Sequence, residues 1–174
     1  MLKKYGIRFK AIQHSFDESS LDYSDFSSPR QYAKAISKYK ARSVSQKGWI
    51  LSADTIVVFN SRIYGKPRSF DDALKTLLTL QNNTHHVISS FCLVNTTTEQ
   101  CFLRSAQSTI TFNTLSKHDI TRYIQTYEPF DKAGSYGFQD CPDILIKAIS
   151  GSMNTVIGFP IHLFIPLIKQ LQLQ

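Results

Sequence analysis

Apolar residues recur along this chain at two spacings, and the switches between them predict its elements. Trp49 to Phe59 is a nearly continuous apolar run with the length and β-branched content of a buried strand, broken near Asp54 and ending at the Asn60-Ser61 turn. Residues 86–94 and 100–112, rich in Val, Ile, Phe and Thr, predict a long antiparallel pair. Residues 7–13 predict a short strand, followed by a polar loop with Asp17 and Glu18. Helical spacing takes over elsewhere. Ser28 caps a helix that starts at Pro29 and runs to about Val44. Ser69 with Asp72 forms one capping box, ahead of Leu74, Leu77 and Leu78. Ser116 with Asp119 forms a second, ahead of Ile120, Tyr123, Ile124 and Tyr127. Residues 144–149 predict another short element. Pro160 opens a terminal helix with Ile161, Phe164, Ile165 and Ile168 inward and Pro166 straining its first turns. Alternating helices and strands with one long antiparallel pair predict an α/β fold with a mixed sheet.

Size and composition narrow the class. With 174 residues, 42% of them hydrophobic, the chain can bury one core but not two independent ones, so residues 1–174 are expected to form a single domain, with room for two lobes. No apolar run reaches the ~18 residues of a membrane span, and no hydrophobic signal core follows the basic start, so a cytoplasmic protein is expected. Cys92, Cys101 and Cys141 lack paired metal spacing. Cys92 and Cys101 are expected on neighbouring strands as free thiols. The formal charge is +7, and Lys34, Lys38 and Arg42 repeat every four residues along the first helix. Such a stripe is either a solvated face or an attractor of polyanions.

Three polar motifs carry candidate chemistry. Asp54 interrupts an apolar strand, where an ionised carboxylate is costly unless paired or bound to a cation. It is therefore either a cleft carboxylate, accepting a proton from water or holding a divalent ion, or a strand-end aspartate bonded to backbone amides. Gly65-Lys66-Pro67 holds an ammonium in a stiff turn, suited to a phosphate, although plain turns use the same tripeptide. Residues 131–139, Asp-Lys-Ala-Gly-Ser-Tyr-Gly-Phe-Gln, set Lys132 beside two glycines that permit close backbone approach, and end on Gln139, an amide able to read a base edge. A packed surface turn is the alternative there. Glu18, beside Asp17, either supplies a second carboxylate for magnesium or belongs to a solvated acidic loop, the default there. His85 and His86 point to opposite faces of a strand, so a strand-edge hydrogen bond for His85 is favoured over metal ligation.

The ordered set resembles the Maf family, the septum-formation inhibitor or nucleoside triphosphate pyrophosphatase family. The matching pieces are Asp17-Glu18; Tyr32 through Lys40-Ala41; Ala53-Asp54-Thr55; Gly65-Lys66-Pro67; Asp72-Ala73 with Leu77-Leu78; His85; residues 131–139; Gly151-Ser152; and Val156 to Pro160. They span nearly the whole chain. The resemblance implies two lobes around a cleft, similar to inosine-triphosphate pyrophosphatases. It implies hydrolysis of a nucleoside triphosphate to monophosphate and diphosphate with a divalent metal, Mg2+ or Mn2+. By the same resemblance Asp54 is the proton acceptor; the residues themselves offer Asp54 and Glu18 as the carboxylates for the metal. Lys40 and Lys66 contact phosphates, Lys132 belongs to the substrate-binding set, and Thr55 and Gln139 match positions linked to base choice. The form of residues 131–139 is similar to the branch acting on dTTP and UTP, with modified pyrimidine nucleotides as further candidates. A homodimer is compatible with the resemblance; a membrane or nucleic-acid partner is not expected.

One departure is large. Family members begin with a strand and a Ser-x-Ser-Pro-Arg-Arg loop, whereas Met1 to Ile7 match the end of the helix after that loop. Ser27-Ser28-Pro29-Arg30 copies the motif at the wrong place, since it follows Asp17-Glu18. The expectation is a start placed too late, with a degenerate member acting in septum regulation or polyanion binding as the alternative. Smaller departures are Asn82, Ser89-Ser90 and Asp140.

Overall fold

The computed structural model describes residues 1–139 and 142–173, so Asp140 and Cys141 lie outside the described residues. Among these residues the helices and strands run, in chain order, α1 (Pro29–Arg42), β1 (Trp49–Phe59), β2 (Arg62–Tyr64), α2 (Phe70–Leu80), β3 (Thr84–Asn95), β4 (Cys101–Phe112), α3 (Lys117–Tyr127), α4 (Pro142–Leu145), β5 (Ile146–Ser150), α5 (Met153–Ile157) and α6 (Ile161–Gln170). The strands form one sheet in the order β2-β1-β3-β4-β5. The α/β class holds, but every pairing among the described residues is antiparallel, not the mixture of directions expected. The β3–β4 hairpin and the return of β3 alongside β1 set the directions of the three long strands.

Register decides which side chains meet. Asp54 lies opposite Ser90 and Thr55 opposite Ser89. Because successive residues face opposite sides, Asp54 and Thr55 are delivered to different layers. One face of the sheet is covered by α1, where Ala33 packs on Ile56, Val58 and Ile88 and Ala41 on Ile50, Cys92 and Val94. The other face carries two apolar clusters. Val57, Val87 and Ile110 pack with Leu77 of α2 and Ile120 and Ile124 of α3. Phe91 and Leu93 pack with Ile161, Phe164, Leu167 and Ile168 of α6. Burying a side chain of this size stabilises by about 1.5–3 kcal/mol, so these clusters hold the layers together.

Several expectations change in detail. Residues 7–13 form no strand. They line a groove beside Trp49 to Ala53 without pairing, and Phe9 and Ile12 stay exposed. An isolated strand without a ladder partner does not persist. β1 runs unbroken through Asp54. Only Val57 to Phe59 pair with β2, so the edge of β1 from Trp49 to Ile56 has no strand neighbour among the described residues. Ser116 and Asp119 make the reciprocal capping box. At α2 only half of one forms: Ser69 accepts from the Asp72 amide, while the Asp72 carboxylate accepts from the Arg68 amide. Pro166 is tolerated inside α6 because the carbonyl it leaves unserved, that of His162, is on an exposed stretch of the helix. Cys92 is buried and Cys101 exposed, with their sulfurs 3.7 Å apart and unbridged. No helix among the described residues is long and apolar enough to cross a membrane.

Candidate active site

The predicted site residues fall into two groups on either side of β1. On the α1 face, Lys40 projects from the last turn of the helix and donates to Asp54 Oδ1 at 2.7 Å. The same Nζ lies 2.8 Å from Glu18 Oε1, so one ammonium joins two carboxylates. Lys40 and Asp54 are 11% and 10% exposed, against 44% for Glu18. This geometry answers the question Asp54 raised in the sequence: its partner is a cation, not a strand-end amide.

Electrostatics make Asp54 an unusual carboxylate. Burial pushes its pKa up, Lys40 only partly offsets this, and the negative charge of Glu18 adds to the rise; the net direction is upward. Lys40 moves the favourable way: burial opposes its charge, but Asp54 and Glu18 outweigh burial, and its pKa is raised. The pair is therefore lopsided. The lysine gains two anions, whereas the aspartate loses water and shares Lys40 with Glu18, with Lys66 a smaller favourable charge. A carboxylate more basic than usual, still held near a cation, suits a proton acceptor.

On the opposite face a cavity of about 300 Å³ is lined by Thr55, Lys66, Lys132 and Gln139 together with Val57, Val87, Tyr136 and residues 156–158. The sheet supplies its floor, and the loop of residues 131–139 supplies one wall. That loop is fixed from several directions. The Gly134 amide donates to the Gly65 carbonyl at 3.0 Å, which ties it to the Gly65-Lys66-Pro67 turn. The Tyr123 hydroxyl accepts from the Gly137 amide at 3.1 Å. Tyr136 Oη lies 2.7 Å from His85 Nε2 inside the core. His85 is thus a buried anchor on a central strand, not a strand-edge group, and burial lowers its pKa to about 4. Lys132 lies 3.1 Å from Asp131, whose carboxyl that contact holds below its ordinary pKa. Lys66 is exposed and has no carboxylate within ion-pair distance among the described residues.

Hydroxyls that no sequence motif marks as part of a site join the sheet to the segment that follows β5. Ser89 Oγ donates to the Thr155 carbonyl at 2.6 Å and lies 2.7 Å from Thr55 Oγ1. Ser108 Oγ donates to the Ser152 carbonyl at 2.9 Å. These bonds fasten α5 to the sheet and bring Gly158 against Thr55. The available signal is the Ser89-Ser90 pair inside an apolar run, since a buried polar group needs a partner.

For a divalent metal, Glu18 and Asp54 are the carboxylates that converge. No group of three or more His, Cys, Asp or Glu side chains positioned to hold an ion occurs among the described residues. Two carboxylates still fit magnesium, which takes few protein ligands and completes its shell with water and substrate phosphates. Ser28, in the copied Ser-Pro-Arg motif, spends its hydroxyl capping α1, and Arg30 bonds Ser105.

Comparison with known proteins gives a consistent result. A family model described as Maf-like protein matches residues 1–171. A dTTP/UTP pyrophosphatase of Acholeplasma laidlawii (strain PG-8A) is 36% identical over 172 residues, covering 97% of this chain and 88% of the relative. One from Clostridium perfringens (strain SM101 / Type A) is 33% identical over 166 residues, 93% of this chain and 85% of the relative. Another, from Thermosipho africanus (strain TCF52B), is 35% identical over 161 residues, 92% and 81% respectively.

Proposed function

Since this chain belongs to the Maf-like family, we propose that it is a nucleoside triphosphate pyrophosphatase that hydrolyses dTTP and UTP to the monophosphate and diphosphate. The observation that carries the reading is the buried, lysine-paired Asp54 next in sequence to Thr55, which lines a cavity of about 300 Å³ with Lys66, Lys132 and Gln139. The curated relatives are named for this activity over most of their length.

In this reading the base lies in the cavity against Thr55 and Gln139, while Lys66 and Lys132 meet phosphates. The triphosphate crosses the unpaired edge of β1 to bring its α-phosphorus to the α1 face. There Asp54 takes a proton from the attacking water, and Lys40, already oriented by two carboxylates, steadies the phosphate charge. Fixed cations act without reorganising during the reaction, which is where most of the rate gain in phosphoryl transfer lies. Glu18 and Asp54 would hold a divalent cation. That ion, when bound, neutralises phosphate oxygens and polarises the reacting group.

Asp54→Asn tests the assignment. Diphosphate release from dTTP is expected to fall by about 10²–10⁴-fold, the range for losing a general base, with the circular-dichroism spectrum unchanged. Release at the wild-type rate would remove Asp54 from the mechanism.

A further inference from the structure

We propose that Ser89 positions specificity: it keeps the Thr55 hydroxyl an acceptor toward the cavity, so the pocket takes a base that offers a ring N–H, the imide of uracil or thymine, over cytosine. The inference rests on the nucleotide reading above and adds to it the polarity of the base contact.

Proton counting carries it. Each hydroxyl has one proton, and a carbonyl oxygen can only accept. Ser89 Oγ lies 2.6 Å from the Thr155 carbonyl and 2.7 Å from Thr55 Oγ1, and Thr55 Oγ1 lies 3.2 Å from the Gly158 carbonyl. Three contacts therefore share two protons. Both short contacts are served when Ser89 donates to Thr155 and Thr55 donates to Ser89. Donation by Thr55 to the Gly158 carbonyl at 3.2 Å instead would leave the 2.7 Å Ser89–Thr55 contact without a proton, so Ser89 is the preferred acceptor. The Thr55 proton then points into the protein, and Thr55 meets a ligand with a lone pair.

The surroundings fix this polarity. Ser89 is fully buried on a central strand, in register with Thr55, so water does not replace it. Val57, Val87, Val156 and Ile157 line the cavity with Thr55 and suit the flat face of a base. Uracil and thymine carry a hydrogen on N3, whereas cytosine presents a lone pair there. Cytosine would set acceptor against acceptor, and leaving buried polar groups unpaired is what gives such sites their discrimination.

The test is a binding ratio. Dissociation constants of the non-hydrolysable α,β-methylene analogues of UTP and CTP are measured by calorimetry on wild type, Ser89→Ala, the near-isosteric Ser89→Cys, Thr55→Val and Thr55→Ser. The ratio within one variant does not depend on the fraction of folded protein. Wild type is expected to favour the UTP analogue by about 10–100-fold. Ser89→Ala, which leaves Thr55 only the longer contact to Gly158, and Ser89→Cys, whose sulfur accepts only weakly, are expected to cut that ratio about fivefold, and Thr55→Val to erase it. Thr55→Ser keeps it. An unchanged ratio in the folded Ser89 variants or in Thr55→Val, or no binding of either analogue by wild type, overturns the inference. Diphosphate release from UTP, assayed on the same samples, separates the two readings. Selective binding without release contradicts the pyrophosphatase reading alone, and release with an unaltered ratio contradicts this inference alone.

Discussion

In the proposed mechanism Asp54 is the residue on which the chemistry turns, and its cost to the fold is visible in the sequence as a carboxylate inside an apolar run. What pairs it was not visible by physical reading, because Lys40 is fourteen positions away and left to itself would be a solvated lysine. Only the docking of α1 on the face that the β1–β3 register gives to Asp54 brings them together. Family resemblance flagged both residues but not their contact. The pair also predicts a pH effect. Burial raises the Asp54 pKa and Lys40 holds it down, so Lys40→Gln should raise it further. A base must be deprotonated to act, so the acid limb of the kcat/KM profile should move to higher pH in Lys40→Gln. An unmoved limb would mean that the limb does not report Asp54. Ser89 illustrates the opposite case. In the sequence it is only a departure from the family pattern, and its proposed role emerges from the proton sharing across β1 and β3.

At the scale of elements, the long strands and the capped helices were legible because each carries its own signal. Ser116 and Asp119 close their box as spaced, and β3 and β4 pair over nearly their full length. Residues 7–13 were not legible, since an apolar-polar alternation predicts a strand without saying whether a neighbour exists to pair with it. A motif marks the loop of residues 131–139, but its shape depends on remote contacts. Gly134 sits at φ 71°, and a Cβ there would come within 2.8 Å of Val57 Cγ2 and 3.1 Å of Tyr136 Cε1. Gly134→Ala should therefore push the loop off β1 and pull Lys132 and Gln139 out of place. We expect KM for dTTP to rise about tenfold, with a loss of stability of about 1–3 kcal/mol from overpacking. Steady-state kinetics and a urea midpoint check both. A wild-type KM in a correctly folded variant would show that the loop does not shape the substrate site.

Among the described residues one sheet carries α1 on one face and two apolar clusters on the other, and the candidate cavity is lined by Val57, Val87 and Tyr136 of the first cluster. Alternating helices and strands announced the α/β class. The antiparallel order and the two-sided division of the site did not follow from periodicity, because both depend on register. His85 ties the core to pH. Its folded pKa of about 4 lies below the ordinary 6.5, so the unfolded chain takes up a proton first. Stability present above pH 6.5 is then lost progressively as pH falls toward 4, by on the order of 3 kcal/mol. Urea midpoints between pH 7 and pH 4 measure the loss, and His85→Gln should flatten that part of the curve. An equal slope in wild type and variant would place the acid sensitivity elsewhere.

The central claim is cleavage between the α and β phosphates, and identifying the products answers it most directly. Incubating the chain with dTTP and with UTP in magnesium or manganese and resolving the phosphorus species should yield the monophosphate and diphosphate in equal amounts. Formation of dTDP or UDP with orthophosphate, or no turnover of either nucleotide, would contradict it.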